Sequence, residues 1–306
     1  MNKLRLSYSS INTFKACGYK YYLDKVEKIR PTWINSSLMF GSAIDEAMES
    51  ILKGNTDEVD VLTKSMNSFE VFGRQTDIMN VRYSVRDLQI ELLDEGFVER
   101  YEELAAIRKN KKPFTEEEQL DYNNMAHNCL IEKGTMLLEE LRTWYEDYVD
   151  EVVEIQKKVE LENEYGDKFV GYLDFIVKNK KGEKVLIDLK TSSDANKYYP
   201  EGCVEDSDQL AIYTEECDTD KAAYLVVDKG IRKREPRVRI KFVEGLITED
   251  KLDGVFNDIE EQTSLIKSNE FNQNKDSCFQ FGRCQYFDYC HKNKSMKGLA
   301  YDKKKV

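Results

Sequence analysis

Histidine is nearly absent from this chain of 306 residues: only His127 and His291 occur, and no pattern makes them a catalytic pair. Proline is almost as scarce, at four. There is no internal repeat and no low-complexity linker. No apolar run approaches the roughly 20 residues needed to cross a bilayer, so no membrane partner is expected. Met1 to Tyr8 offers no apolar core long enough for a secretory signal. The expected setting is therefore the reducing cytoplasm, in a bacterium or a phage-infected host. No glycine-rich phosphate loop occurs, which excludes a fused ATP-driven helicase within this chain. Cys-x₂-Cys pairs, the usual zinc signature, are missing too.

What is present is a strongly charged, globular composition: 41% hydrophobic, 34% charged, with 58 acids against 46 lysines and arginines. The length allows one elaborated domain or two small ones. A net charge of −12 argues against a passive nucleic-acid coat protein. It leaves room for an enzyme that reaches phosphates through a bound cation and a local basic groove. The basic end (Lys292, Lys294, Lys297, Lys303, Lys304, Lys305) reads as a solvated tail.

Hydrophobic period divides the chain. Ser9 to Leu23 predicts one helix, with Ile11, Phe14, Cys17 and Tyr21 near one face. A second follows from Phe40, where Phe40, Ile44, Met48 and Leu52 recur every four residues. Tyr83 to Tyr148 reads as helical almost throughout, broken at Lys111-Lys112-Pro113 and restarted by a Thr115/Glu118 capping box. Its buried stripe is expected to include Leu120, Met125, Leu137, Leu138, Leu141 and Tyr145. After Asp150 the period falls to two. Val153 to Tyr165, Phe169 to Val177 and Lys184 to Leu189 predict consecutive strands. Then come a helix over Ser207 to Glu216, strands over Ala222 to Val227 and Val238 to Phe242, and a long helix over Glu249 to Ser268. The expected fold is α/β, a mixed sheet flanked by helices. Its expected parts are N-terminal core helices (1–53), an inserted helical subdomain (54–150), core sheet and helices (151–270), and a cysteine-rich staple with the basic tail (271–306).

Two acids and a lysine, Asp174, Asp188 and Lys190, sit inside otherwise apolar strands, where uncompensated charge is costly. Lys180-Lys181-Gly182 predicts a three-residue hairpin loop with glycine at its left-handed position. Asp174 and Asp188 each lie seven residues from its centre, so they should face each other. Asp188 and Lys190, two apart, share a face. Paired carboxylates raise each other's pKa unless a cation lies between them, and oxygen ligands suit Mg²⁺ or Mn²⁺. Such an ion would polarise a phosphodiester, with Lys190 orienting or activating water. The bland alternative is a buried Asp–Lys pair that fixes strand register. Gln209 and Tyr213, four apart on one helical face, could bond a phosphate or a bound water, or simply pack on the sheet.

This ordered set resembles the PD-(D/E)XK nuclease superfamily and, within it, the RecB-like exonucleases. The matching segments are Gly171 to Asp174, Asp188-Leu189-Lys190-Thr191, Gln209 to Tyr213, and an opening Leu6-Ser7-Tyr8-Ser9 with Phe14-Lys15-Ala16-Cys17. The region from Leu52 to Asp150 matches no motif. The resemblance implies a restriction-endonuclease-like sheet, DNA as substrate (single- or double-stranded), Mg²⁺ or Mn²⁺, and service with recombination or replication proteins. Asp174 and Asp188 become metal ligands, and Asp174, Asp188, Lys190, Gln209 and Tyr213 the catalytic set. One departure stands out. The family's histidine in a Gly-Thr-Ala-x-His-Glu helix start is replaced in Gly41-Ser42-Ala43-Ile44-Asp45-Glu46 by Asp45, an expected third metal ligand. Glu46 reads more simply as an acid complementing the helix dipole.

Seven cysteines, an odd number in a reducing setting, do not suggest disulfides. Cys278, Cys284 and Cys290 crowd the C-terminal region, and Cys17 would be a fourth ligand if the two regions meet. Four thiolates suit Zn²⁺ or a [4Fe–4S] cluster. The wide spacing resembles the iron–sulfur staple of AddAB-type and CRISPR-associated RecB-like nucleases, although Cys278 to Cys284 is longer than its commonest form. His291, beside Cys290, is a substitute-ligand candidate. Cys129, Cys203 and Cys217 read as small hydrophobes. Three functions are thus open: an iron–sulfur nuclease, a zinc-stapled nuclease, or a catalytically inactive nuclease-like module that binds DNA or protein.

Overall fold

A computed structural model describes residues 3–302 apart from 69, 72–73, 76–77, 85, 90–91, 94, 231–238 and 281. Lys303, Lys304 and Lys305 of the basic tail, and Val238 of the last expected strand, lie outside the described residues.

In chain order the elements begin with β1 (Arg5–Leu6), α1 (Tyr8–Ala16), α2 (Gly18–Tyr21) and a π-helical turn over Tyr22–Val26. Next come β2 (Ile29–Pro31), β3 (Ile34–Asn35), α3 (Ser36–Leu52), α4 (Glu58–Asn67) and the short strands β4 (Glu70–Val71), β5 (Arg74–Gln75) and β6 (Val81–Arg82). Helices α5 (Glu95–Lys109) and α6 (Glu116–Tyr148) precede β7 (Val149–Glu162), β8 (Lys168–Asn179) and β9 (Lys184–Ser192). The chain continues through α7 (Ala195–Tyr198), α8 (Asp208–Thr214), β10 (Lys221–Asp228), β11 (Arg239–Leu246), α9 (Glu249–Lys267), α10 (Phe287–His291) and β12 (Leu299–Tyr301).

The central sheet is mixed: β1 and β10 run parallel to β8 and β9 respectively, whereas β7–β8, β8–β9 and β10–β11 are antiparallel. One edge of β8 pairs along its length with β7. The other edge is shared, with β1 paired to Lys168 and Phe169 and β9 paired to Phe175 through Lys178. Val170 to Asp174 therefore face a gap on that edge among the described pairings. The site occupies this gap.

Helices cover both faces of the sheet. On one, Phe40, Ile44 and Met48 of α3 and Leu130, Leu137 and Leu141 of α6 pack against Phe175, Val185, Ile187 and Leu225. On the other, Ile11 and Phe14 of α1, Leu210 and Ile212 of α8 and Val255 and Ile266 of α9 pack against Leu173, Leu186 and Val226. Helix α6 also contributes Tyr122, Met125 and Ala126 to a smaller cluster with Leu88 and Leu104. Its start is the expected capping box, with Thr115 Oγ1 accepting from Glu118 N and the Glu118 carboxylate from Thr115 N.

Three expectations need correction. The single helix over Ser9 to Leu23 is broken at Cys17, whose backbone is extended (φ −165°). The cause is tertiary: the chain at Phe271–Asn272 crosses there, and Tyr19 N donates to Asn272 O at 3.0 Å. Gly18 permits the crossing, since a Cβ on it would lie 3.0 Å from Asn272 N. Second, helix does not begin at Tyr83: Tyr83 to Ser84 follow β6 without helix, and α5 starts at Glu95. Third, Leu120 is 40% exposed and lies off the buried stripe of α6.

Candidate active site

The hairpin between β8 and β9 forms as its residues dictate. Asn179 N donates to Glu183 O at 2.9 Å and Gly182 N to Asn179 O at 2.8 Å, enclosing a three-residue loop. Gly182 takes φ +78°, which a side chain would strain. The loop sets the register, with Lys178 opposite Lys184 and Phe175 opposite Ile187 as the last rung. Continued by one residue, that register places Asp174 opposite Asp188. Here the strands part, and Leu189 N donates to Asp174 Oδ2 at 2.7 Å instead of to a backbone carbonyl.

Asp188 and Lys190 share the α8 face, with Lys190 Nζ 2.5 Å from Asp188 Oδ2. The Asp188 side chain is only 2% exposed, so its charge depends on this neighbour. Asp188 Oδ2 receives no well-directed hydrogen bond even so. From α8, capped by Ser207, Gln209 Nε2 donates to Asp188 Oδ1 at 3.1 Å, and Gln209 Oε1 accepts from Lys190 Nζ at 3.3 Å. Gln209 Nε2 also reaches the Tyr213 hydroxyl at 3.4 Å. Gly171 lets Tyr213 lie against β8, because a Cβ on it would meet the Tyr213 ring at 2.5 Å.

Asp45 enters from α3 on the opposite side. Gly41, one turn earlier, brings α3 close to β9, its ideal Cβ position being 3.4 Å from Thr191 Oγ1. Asp45 and Asp174 line one small cleft with Leu189. Burial raises the Asp45 pKa to about 7, with Lys190 opposing and Asp188 reinforcing the shift. Burial, then the Asp188 and Asp45 charges, raise Asp174 to about 8. Burial likewise raises Asp188 against the pull of Lys190. Burial works against the charge of Lys190, but Asp188 and Asp174 outweigh it and hold the ammonium charged.

Among the described residues no group of three or more His, Cys, Asp or Glu side chains closes to the geometry of a metal site. The donor chemistry nonetheless fits a hard dication. Burial raises the pKa of Asp45, Asp174 and Asp188 alike, a cost that a bound dication would offset, and Asp188 Oδ2 has no directed donor although Lys190 Nζ lies 2.5 Å away.

At the far end of the fold, Cys17 reaches the 272–278 segment, where its Sγ accepts from Asn274 N at 3.4 Å. Burial raises the Cys290 thiol to about 11, and the next contributors are Cys284, Cys17 and Cys278. Burial also raises Cys278, followed by Cys284 and Cys17. Cys284, Cys17 and Cys278 thus bear on Cys290 and all four are free thiols, but among the described residues they do not close into a group that could hold a metal or cluster, contrary to the expected staple. His291 Nε2 lies 3.9 Å from Cys278 Sγ. Cys129 and Cys217 are buried singly, as expected. His127 sits in a buried pair of hydrogen bonds with Tyr83 and Asn67, away from either cluster.

Residues that the sequence reading missed line a groove of about 1530 Å³ reaching Lys190, Gln209 and Tyr213. Tyr172 and Lys25 are among them. Only the Gly-x-x-Asp segment hinted at Tyr172. The others come from distant parts of the chain.

A mixed, helix-flanked sheet with two acids and a lysine at a splayed hairpin is the core of a nuclease-type α/β protein. The chain belongs to the PD-(D/E)XK nuclease superfamily, whose sequence profile matches residues 5–291. Among solved structures it is similar to that of SSO0001, at 17% identity over 78% of this chain and 88% of that one, with a TM-score of 0.31. It is also similar to a candidate exonuclease from Eubacterium rectale, at 15% identity over 96% and 90% of the two chains, with a TM-score of 0.40. No curated protein matches. No helix among the described residues is long and apolar enough to cross a membrane.

Proposed function

We propose that this chain is a divalent-metal-dependent deoxyribonuclease of the RecB-like branch, acting on DNA ends in recombination, repair or phage DNA processing. The observation that carries the reading is that Asp188, Asp45 and Lys190 all bear on the buried Asp174 carboxyl, with Lys190 Nζ 2.5 Å from Asp188 Oδ2. Asp174, Asp188 and Asp45 would hold Mg²⁺ or Mn²⁺. When bound, such an ion polarises the phosphodiester and lowers the pKa of a coordinated water. Lys190, kept charged by its acidic neighbours, offsets charge developing on the phosphate and orients the attacking water rather than accepting its proton. Gln209 fixes the spacing of Asp188 and Lys190 by bonding both, and Tyr213 steadies Gln209.

We extend the proposal to a structural [4Fe–4S] cluster on Cys17, Cys278, Cys284 and Cys290. What supports it is that Cys284, Cys17 and Cys278, from segments near both ends of the described chain, all bear electrostatically on the Cys290 thiol. The proximity of His291 to Cys278 favours Zn²⁺ as the second reading.

End-labelled single- and double-stranded DNA incubated with Mg²⁺, Mn²⁺ or chelator tests the nuclease. Cleavage that needs the metal and fails in Lys190→Ala is expected. No cleavage by wild type under any of these conditions, with DNA binding retained, makes the chain a catalytically silent module. Iron content and visible absorbance after anaerobic purification decide between cluster and zinc.

A further inference from the structure

Asp188 has a tyrosine for its neighbour on the next strand. The parallel register of β9 and β10 sets Tyr224 beside Asp188, so both side chains rise from the same face of the sheet, the one that α8 covers. Tyr224 is buried, and its ring meets that of Tyr199 edge-on, with centroids 5.1 Å apart. Its hydroxyl lies 2.6 Å from Ser207 Oγ, the one hydrogen-bond partner it has among the described residues. Ser207 Oγ in turn accepts from Leu210 N at 3.1 Å and so caps α8. Gln209, which bonds both Asp188 and Lys190, is the second residue of that helix. A connected path thus leaves the sheet beside Asp188, passes through Tyr224 and Ser207 to the start of α8, and returns to Asp188 through Gln209.

Resting on the nuclease reading above, we propose that Tyr224 is a positioning residue for the reaction, holding the start of α8 where the Gln209 amide spans Asp188 and Lys190. Helix α8 has only seven residues, too few to keep its place by backbone hydrogen bonds alone. Its position is therefore set by what its ends are tied to. The far end is fixed by Tyr213 lying against Gly171. At the start, Lys251 Nζ reaches Asp208 Oδ1 at 2.6 Å, but both side chains are partly open to water, which weakens such a pair. The Tyr224–Ser207 bond is buried and so is unfavourable to leave unmade. Filling the space against Tyr199 needs only the ring, which phenylalanine would also supply. The hydroxyl matters for where it reaches. Burial raises Tyr224 above the ordinary tyrosine range, with Ser207 opposing and Asp188 reinforcing the shift, so the hydroxyl keeps its proton.

Tyr224→Phe deletes the hydroxyl and keeps the ring, and two measurements on the full chain read the consequence. In chelator, the side-chain amide resonances of Gln209, assigned by their absence from Gln209→Ala, should shift toward those of a freely solvated glutamine. With Mn²⁺, kcat for DNA cleavage should fall by about 5- to 50-fold, as misplacing a reacting-site group does, while KM stays within about twofold. The same substitution made in Gln209→Ala should change kcat by less than about twofold, because the amide it positions is already gone. A merely structural role would lower the melting temperature and multiply the two rate losses. Unmoved Gln209 resonances, or rate losses that multiply in the double variant, overturn the proposal. Ser207→Ala breaks the same link from the other side and gives the same readings should Tyr224→Phe melt early. A wild type that never cuts DNA refutes the nuclease reading alone, since the resonances still decide the anchor.

Discussion

Gly171 lies directly beneath Tyr213, so close that a single methyl group on it would fall 2.5 Å from the Tyr213 ring and 2.9 Å from its hydroxyl. Tyr213 in turn touches Gln209, which bonds both Asp188 and Lys190. A glycine on β8 thus sets the position of an amide on α8. Gly171→Ala should cost about 1–3 kcal/mol of stability by overpacking. It should also lower the cleavage rate constant more than it raises KM, because the displaced side chains lie next to Lys190. Melting curves and steady-state cleavage of the one variant check both effects. Unchanged kcat would mean that Tyr213 has no hold on Gln209.

Lys190→Ala removes the cation beside a carboxylate that is almost wholly buried. Cleavage should fall by on the order of 100-fold or more, the size expected when a preorganised electrostatic donor is lost. Mn²⁺ binding, read by calorimetry, should persist because the acids remain. Lost metal binding with an intact fold would instead assign Lys190 to holding the acids in place.

The acids also predict a pH dependence of stability in the absence of metal. Folding raises Asp45 to about 7 and Asp174 to about 8, from about 4 in an unfolded chain. The folded state therefore holds these protons more tightly. The stability they contribute is fully present below about pH 4 and is lost as pH rises through 7 and 8. In chelator, the wild type should lose more stability than Asp174→Asn between about pH 5 and about pH 9. Mn²⁺ should stabilise the wild type more at the upper pH, since at the lower one it must displace protons. Identical pH profiles for the two proteins would sink this account.

Cys284→Ser should abolish bound iron and lower the melting temperature of the whole chain. Cys284 packs with Leu23 and Ile29 from one end and Tyr286 and Leu299 from the other. An iron-free variant of full stability would rule out a structural cluster.

Much of the site was legible because short-range rules govern it. Gly182 and the equal spacing of Asp174 and Asp188 from Lys181 fix the register before any tertiary contact is known. Gln209 and Tyr213 follow from helical period alone. The break at Cys17 was not legible, because its cause is a chain segment crossing some 255 residues later. Nor was β1, since two residues display no period and are held by pairing with Lys168 and Phe169. Leu120 was misplaced because an apolar residue near the start of a 33-residue helix need not share the stripe that packs further along. The groove cations stayed hidden for the same reason as Cys17: Arg5, Lys25 and Lys267 become neighbours only in the fold.

The small apolar knot of Leu23, Ile29, Tyr286 and Leu299 packs against Cys284 and Cys290. Tyr286 fastens it by donating to Ile29 O at 2.8 Å, and β12 pairs with β2 along Ile29–Pro31. Lys25, Lys28 and Arg30 ride on that same stretch of chain. Oxidative damage to those thiols would therefore disturb the Lys25–Arg30 stretch while leaving the β8–β9 hairpin, which sets its own register, in place.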